Sequence, residues 1–183
     1  MLKAIISSKQ VKILVILLML NVDISTTWYI IPLNKRLYKA IPAKADITNL
    51  EEIGQAICTL HETFGHIDLA IACAGTGEIN AALDYAVERP TIDTNVVGWT
   101  FVIDMLYHIF ERQGCGYLVA ITSAGGLRCE PMAPAYSATK AYQINYMEAL
   151  RKKAFKNGGH IILQIFVQVL LIQLWQKEKD YFG

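Results

Sequence analysis

The nine residues Ile67-Asp68-Leu69-Ala70-Ile71-Ala72-Cys73-Ala74-Gly75 decide the fold. They form a short apolar run closing on small residues, the pattern of a strand covered on both faces. Upstream lies a helical stretch. Thr48 followed three residues later by Glu51 reads as a capping box, Ile53, Ala56, Ile57 and Leu60 recur at helical spacing, and Gly65 stops the helix. Downstream, residues 87–108 carry helical periodicity after Pro90, with Ile92, Val96, Phe101, Ile103 and Leu106 as apolar positions. A second apolar strand, Gly116-Tyr117-Leu118-Val119-Ala120-Ile121-Thr122, then ends at Ser123 and the pair Gly125-Gly126. A long helix over residues 135–155 closes on Asn157-Gly158-Gly159, and residues 161–174 are apolar and strand-like at their start. Buried strands alternating with amphipathic helices predict an α/β fold with a parallel sheet. Ligands of such sheets bind beyond the carboxyl ends of the strands, where Gly75 and Ser123 both fall.

Bulk properties narrow the function classes. At 183 residues the chain suits one domain, and 54% hydrophobic against 18% charged residues indicates an ordered chain. Seventeen Lys+Arg against sixteen Asp+Glu leave a net charge of +1, which gives no electrostatic reason to expect a nucleic-acid partner. Cys58, Cys73, Cys115 and Cys129 form no Cys-x-x-Cys motif. The first three sit in apolar stretches and are expected to behave as small reduced hydrophobes in a reducing, cytoplasmic compartment. His61, His66, His108 and His160 share no ligand spacing, so no metal site is expected.

The N-terminal run over residues 13–20 is unbroken apolar sequence preceded by Lys3, Lys9 and Lys12, which resembles a signal-peptide layout. Asn21 and Asp23 end it well short of the roughly 20 residues a membrane span needs. A buried parallel strand is the preferred reading. Pro32 and Pro42 bracket a basic stretch, residues 34–39, that reads as a loop or short helix.

Chemistry concentrates in Tyr136-Ser137-Ala138-Thr139-Lys140. Residues four apart on a helix share a face, so Tyr136 and Lys140 project side by side. An ammonium beside a phenol stabilises the phenolate and makes tyrosine a usable general acid or base. An exposed helix pair would show the same spacing, so the pair alone is a weak signal. Ser123, thirteen residues earlier at a strand end, could bond a carbonyl or alcohol oxygen while the tyrosine moves the proton. A plain turn serine, favoured by Gly125 and Gly126, is its alternative reading.

Taken together these landmarks resemble the short-chain dehydrogenase/reductase family over about residues 43–160. Ser123…Tyr136-x-x-x-Lys140 matches its signature, and Ala72-Cys73-Ala74-Gly75 stands where the family has Asn-Asn-Ala-Gly. Asn95 in Thr94-Asn95-Val96-Val97-Gly98 matches its helix asparagine, and Asp46-Ile47 its adenine-side pair. The resemblance implies a Rossmann-like parallel sheet with helices on both faces. It also implies hydride transfer between NAD or NADP and a small or lipid-like alcohol or ketone. Tyr136 would give or take the proton, Ser123 orient the substrate oxygen, Lys140 hold the nicotinamide ribose and stabilise the phenolate, and Asn95 anchor a relay water. Asp46, Ile47, Ala74 and Gly75, together with Tyr136 and Lys140, would line the cofactor. The helix bearing Tyr142, Tyr146 and Met147 would serve a homo-oligomer interface or simple core packing.

Both ends depart from the family pattern. No glycine occurs before Gly54, so the phosphate-binding glycine turn is not recognisable, and no proline follows Pro134, so the Pro-Gly turn over the nicotinamide is missing too. Residues 1–183 therefore read as one truncated Rossmann-like domain, incomplete at both ends, with 1–32 and 161–183 atypical. Each lost pyrophosphate contact would cost roughly 1.5–3 kcal/mol of cofactor affinity. The alternatives are a non-catalytic remnant of such an enzyme and, more weakly, a membrane-associated protein anchored by its two apolar runs.

Overall fold

The computed structural model describes residues 13–16, 43 and 45–168. Its frame is a four-stranded parallel sheet in the order β1 (Ile13–Ile16), β2 (Leu69–Ala72), β3 (Gly116–Ser123), β4 (Ile161–Gln168). Register is continuous: Ile13 pairs with Leu69, Leu69 with Tyr117, and Gly116 with Ile161. The apolar N-terminal run thus supplies a parallel strand over Ile13–Ile16, while residues 17–20 and the basic stretch 34–39 lie outside the described residues.

Helix α1 (Leu50–Phe64) differs from its expected start by one residue. Asn49, not Thr48, is the N-cap: its side chain accepts from Glu52 N at 3.2 Å, while Thr48 N and Oγ1 both donate to Asp46 Oδ1 at 2.8 Å. Gly65 ends the helix at φ 67°, a left-handed conformation that suits glycine. Ile53, Ile57 and Leu60 face the core. Cys58, one position past Ile57, therefore points to solvent. It and Cys115 are exposed rather than buried, which corrects the expectation for both; all four cysteines are free.

The helix expected over residues 87–108 is longer and composite. Helix α2 (Tyr85–Ile92) runs through Pro90 into a π-helical turn (Asp93–Gly98) and on into α3 (Trp99–Gln113). Trp99, Val102, Ile103, Leu106, Tyr107, Ile109 and Phe110 form its buried face. These pack with Ala70, Ala72, Leu118 and Ala120 of the sheet to make the main core. Gly116 lets β3 pass under Phe110, where a Cβ would lie 2.3 Å from the ring.

Helix α4 (Pro134–Lys156) begins with proline in its first turn, where the missing N–H costs nothing. Met147 and Ala154 join the core, so Met147 is a packing residue. Tyr142 and Tyr146 are half-buried, edge-on to Trp99 at 6.5 and 5.9 Å, and bond to Thr100 Oγ1 and Asp104 Oδ1 at 2.9 and 2.6 Å. Among the described residues β4 has a strand on one side only, and Ile162, Phe166 and Val167 are exposed along it. Among them too, no helix is long and apolar enough to cross a membrane, and no histidine, cysteine or carboxylate cluster could hold a metal.

Candidate active site

Four elements meet at the carboxyl end of β2 and β3: the loop after β2, the π turn, the β3 end and the first half of α4. Close approach is possible because residues 75 and 77 lack side chains. A Cβ on Gly75 would lie 2.7 Å from Lys140 Nζ, and one on Gly77 would lie 2.4 Å from Tyr136 Cδ2. The loop backbone therefore rests directly on the two residues of the Tyr-x-x-x-Lys pair.

Asn95 ties this loop to both helices. The residue is completely buried. Its Oδ1 accepts from Thr76 N at 2.8 Å; its Nδ2 donates to Thr76 O at 2.7 Å and to Thr139 Oγ1 at 3.0 Å. Its backbone carbonyl is released by the π turn. In a regular α-helix Trp99 N–H would bond Asn95 O, but here it goes to the carbonyls of Thr94 and Val96. Gln143 Nε2 donates to the released oxygen at 2.9 Å.

Lys140, 5% exposed, donates from Nζ to Gln143 Oε1 at 3.1 Å and lies 5.7 Å from the centre of the Tyr136 ring. Burial lowers its pKa to about 8, with Cys73 nearby opposing the shift. The Cys73 thiol is pushed up by burial, against the pull of Lys140. Among the described residues Gln143 Oε1 is the one acceptor for the ammonium, so two of its three N–H donors remain for a ligand.

Ser123 caps the turn after β3, its Oγ accepting from Gly125 N at 3.2 Å, which leaves its O–H to donate. A Cβ on Gly125 would lie 3.6 Å from Ser123 Oγ and 3.4 Å from Tyr136 Cε1, so both side chains border the same glycine. Thr122 Oγ1 donates to Lys140 O at 3.3 Å, and Ser137 Oγ accepts from Glu130 N at 2.9 Å, tying the loop after β3 to α4.

Asn95, Ser123, Tyr136, Lys140, Ala74 and Gly75 are thus gathered around one end of the sheet. Asp46 and Ile47 lie on its flank. Asp46 is exposed and Ile47 is a core residue whose carbonyl packs on Gly98, where a Cβ would lie 2.2 Å from it. Sequence reasoning missed Gln143, Thr139 and Asn80. Gln143 stands three residues after Lys140, a spacing that places it on the same helix face. Asn80 holds the loop beyond Gly77: its N donates to Met132 O at 2.7 Å, and its side chain exchanges two 2.9 Å bonds with the Asp84 backbone.

This parallel sheet, with a buried lysine, a tyrosine and a serine at its carboxyl end, defines a dehydrogenase-type Rossmann-like domain. A family model for short chain dehydrogenase matches residues 18–169, and the chain belongs to that family. Over 115 residues it is 30% identical to an uncharacterized oxidoreductase of Staphylococcus haemolyticus (strain JCSC1435), covering 62% of this chain and 50% of the relative. The chain thus spans about half the length of such relatives. Its fold is similar to that of ElxO with NADP bound (TM-score 0.66, 23% identity, 74% of this chain and 56% of that one). It is equally similar to a short chain dehydrogenase/reductase from Burkholderia phymatum in complex with NAD (TM-score 0.66, 19% identity, 72% and 48%).

Proposed function

We propose that this protein is an NAD(P)-dependent oxidoreductase acting on a small or lipid-like alcohol or carbonyl compound. The observation that carries the reading is the buried Lys140 ammonium lying between Gly75 and the Tyr136 ring, at the carboxyl end of the parallel sheet. Burying a cation is costly, and a fold retains one where its charge is used.

In this reading Tyr136 moves a proton to or from the substrate oxygen. Lys140 stabilises the phenolate form and offers its remaining donors to the cofactor ribose. Ser123, its lone pair engaged by Gly125 N, donates its O–H to the same substrate oxygen. Asn95 fixes the loop that carries Gly75 and Thr76 against α4 and contributes its carbonyl to the polar wall. The flank formed by Asp46, Ile47, Ala74 and Gly75 faces the adenosine half. A nicotinamide, when bound, supplies or accepts the hydride. The residues at the ribose end fit such a group; at the pyrophosphate end the glycine turn has no counterpart in the sequence before Gly54. Similar folds hold NADP in one case and NAD in another, which supports either nucleotide. The half-buried Tyr142–Tyr146 face is a candidate contact for a second copy.

The test is a titration of the full chain with NADH and NADPH, followed by energy transfer from tryptophan. Nicotinamide absorbance is then followed with a panel of ketones and aldehydes. Binding and turnover of at least one pair are expected. Silence with both nucleotides in a preparation that melts cooperatively would overturn the reading and favour a non-catalytic relative of the enzyme.

A further inference from the structure

The polar interior of α4 contains a residue for which the reaction outlined above has no assigned part. Gln143 is 1% exposed, and both ends of its side chain are engaged. Nε2 donates to Asn95 O at 2.9 Å, and Oε1 accepts from Lys140 Nζ at 3.1 Å. At the π turn Trp99 N–H bonds other carbonyls, so Asn95 O is not engaged by its usual helical donor. The amide therefore spans a carbonyl that Trp99 N–H does not engage and a buried ammonium. A carboxamide suits this span: it presents a donor to the carbonyl and an acceptor to the cation, in a fixed plane.

We propose that Gln143 is a positioning residue of this site, a buried clamp that fixes the Lys140 ammonium between Asn95 and Tyr136. Its catalytic meaning rests on the oxidoreductase reading. The clamp itself is a property of the cofactor-free protein and can be read there.

Three features support a positioning role over simple packing. The bonds run from one helix to another and to the reactive pair, not within one hydrophobic layer. The carbonyl on which the clamp rests belongs to the residue whose side chain pins Thr76, so a single scaffold holds the loop and the lysine together. Moreover, among the described residues the lysine has no carboxylate partner. The groups facing it are Cys73 from the end of β2, Tyr136 from α4 and the neutral amide of Gln143. Gln143 is therefore the acceptor that sets its direction.

Lys140 can be observed directly by NMR of protein carrying 13C-labelled lysine, with its signal assigned by its loss in Lys140→Met. In Gln143→Glu the acceptor becomes a carboxylate, and the Lys140 titration midpoint should rise by about one pH unit or more. In Gln143→Met the acceptor vanishes at nearly constant volume, and the midpoint should fall below that of the native protein. Repeating both in a Cys73→Ser background separates the effect from the neighbouring thiol. Opposite displacements in the two variants support the clamp. An unchanged midpoint in Gln143→Glu, in protein with a native circular dichroism spectrum, overturns it even if the methionine variant does not fold. No cofactor is present in this experiment, so a failed nucleotide titration and a failed clamp are separate results.

Discussion

Replacing Lys140 with methionine should make the protein more stable near neutral pH, and less so as the solution becomes alkaline. Burial, opposed by nearby Cys73, takes the ammonium from its ordinary 10.5 to about 8. A lysine with a depressed folded pKa binds fewer protons in the folded than in the unfolded state between those two values. Stability therefore rises with pH through that window, and the full cost is present below it. That cost is roughly 3 kcal/mol at neutral pH. Methionine removes it, but leaves Gln143 Oε1 buried without its donor and forfeits the contact with the Tyr136 ring, which together return about 2 kcal/mol. The net gain at neutral pH is then about 1 kcal/mol, or about 2–4 °C in Tm for a chain of this size. Above about pH 9 the gain reverses, because the native lysine is then neutral in the folded state and the remaining protonation cost falls below the roughly 2 kcal/mol that methionine forfeits. Urea unfolding of both cofactor-free proteins, followed by tryptophan fluorescence from about pH 6 to about pH 10, measures the difference. The raised thiol of Cys73 gives an opposite slope in the alkaline range, and taking the difference between the two proteins removes most of it. Parallel stability curves over that range would refute the reasoning, since they would mean that the buried ammonium carries no protonation cost.

Other substitutions probe the same region. Tyr136→Phe should lower turnover by about 10²–10⁴-fold in the nicotinamide absorbance assay while nucleotide binding changes little, as expected when only the proton-transferring group is lost. Asn95→Ala strands the N–H and carbonyl of Thr76, with Gln143 Nε2 kept on the unchanged backbone carbonyl. A loss of about 2–4 kcal/mol in urea unfolding is expected. Gly98→Ala would place a methyl 2.2 Å from Ile47 O, a backbone atom that cannot swing away, and should destabilise by about 1–3 kcal/mol in thermal melts.

The inner strands were legible because they are largely covered and therefore apolar. The strand expected over Ile67 to Gly75 is present in shorter form as Leu69–Ala72, the one over Gly116 to Thr122 is present through Ser123, and even the N-terminal apolar run contributes β1. Tyr136, Lys140 and Ser123 were legible because the chemistry needs those types at those separations. What escaped was set by tertiary contacts. Periodicity gave no hint of the π turn, since one extra residue in a helical turn hardly disturbs an apolar pattern. Cys58 and Cys115 sit among apolar neighbours in the sequence yet face solvent, because hydrophobic context along the chain does not say which side of an element a residue takes. Gln143 escaped for a related reason: a glutamine on a helix reads as a solvated residue until its neighbours are known.

The first half of α4 buries Ser137, Thr139, Lys140 and Gln143, four polar residues at positions where an amphipathic helix would carry leucines. Each is bonded: Ser137 to the Glu130 backbone, Thr139 to Tyr136 O and Asn95, Lys140 to Gln143, and Gln143 to Asn95 O. The second half of the helix carries the apolar packing through Met147 and Ala154. Division of labour along one helix resolves the conflict between stability and a polar site, because the apolar end anchors the element and the polar end need only be satisfied. The π turn contributes to satisfaction at the polar end, because Trp99 N–H leaves Asn95 O to Gln143 Nε2. Straightening that turn would return Trp99 N–H to Asn95 O, where it would share the oxygen with Gln143 Nε2 and weaken the support of the lysine.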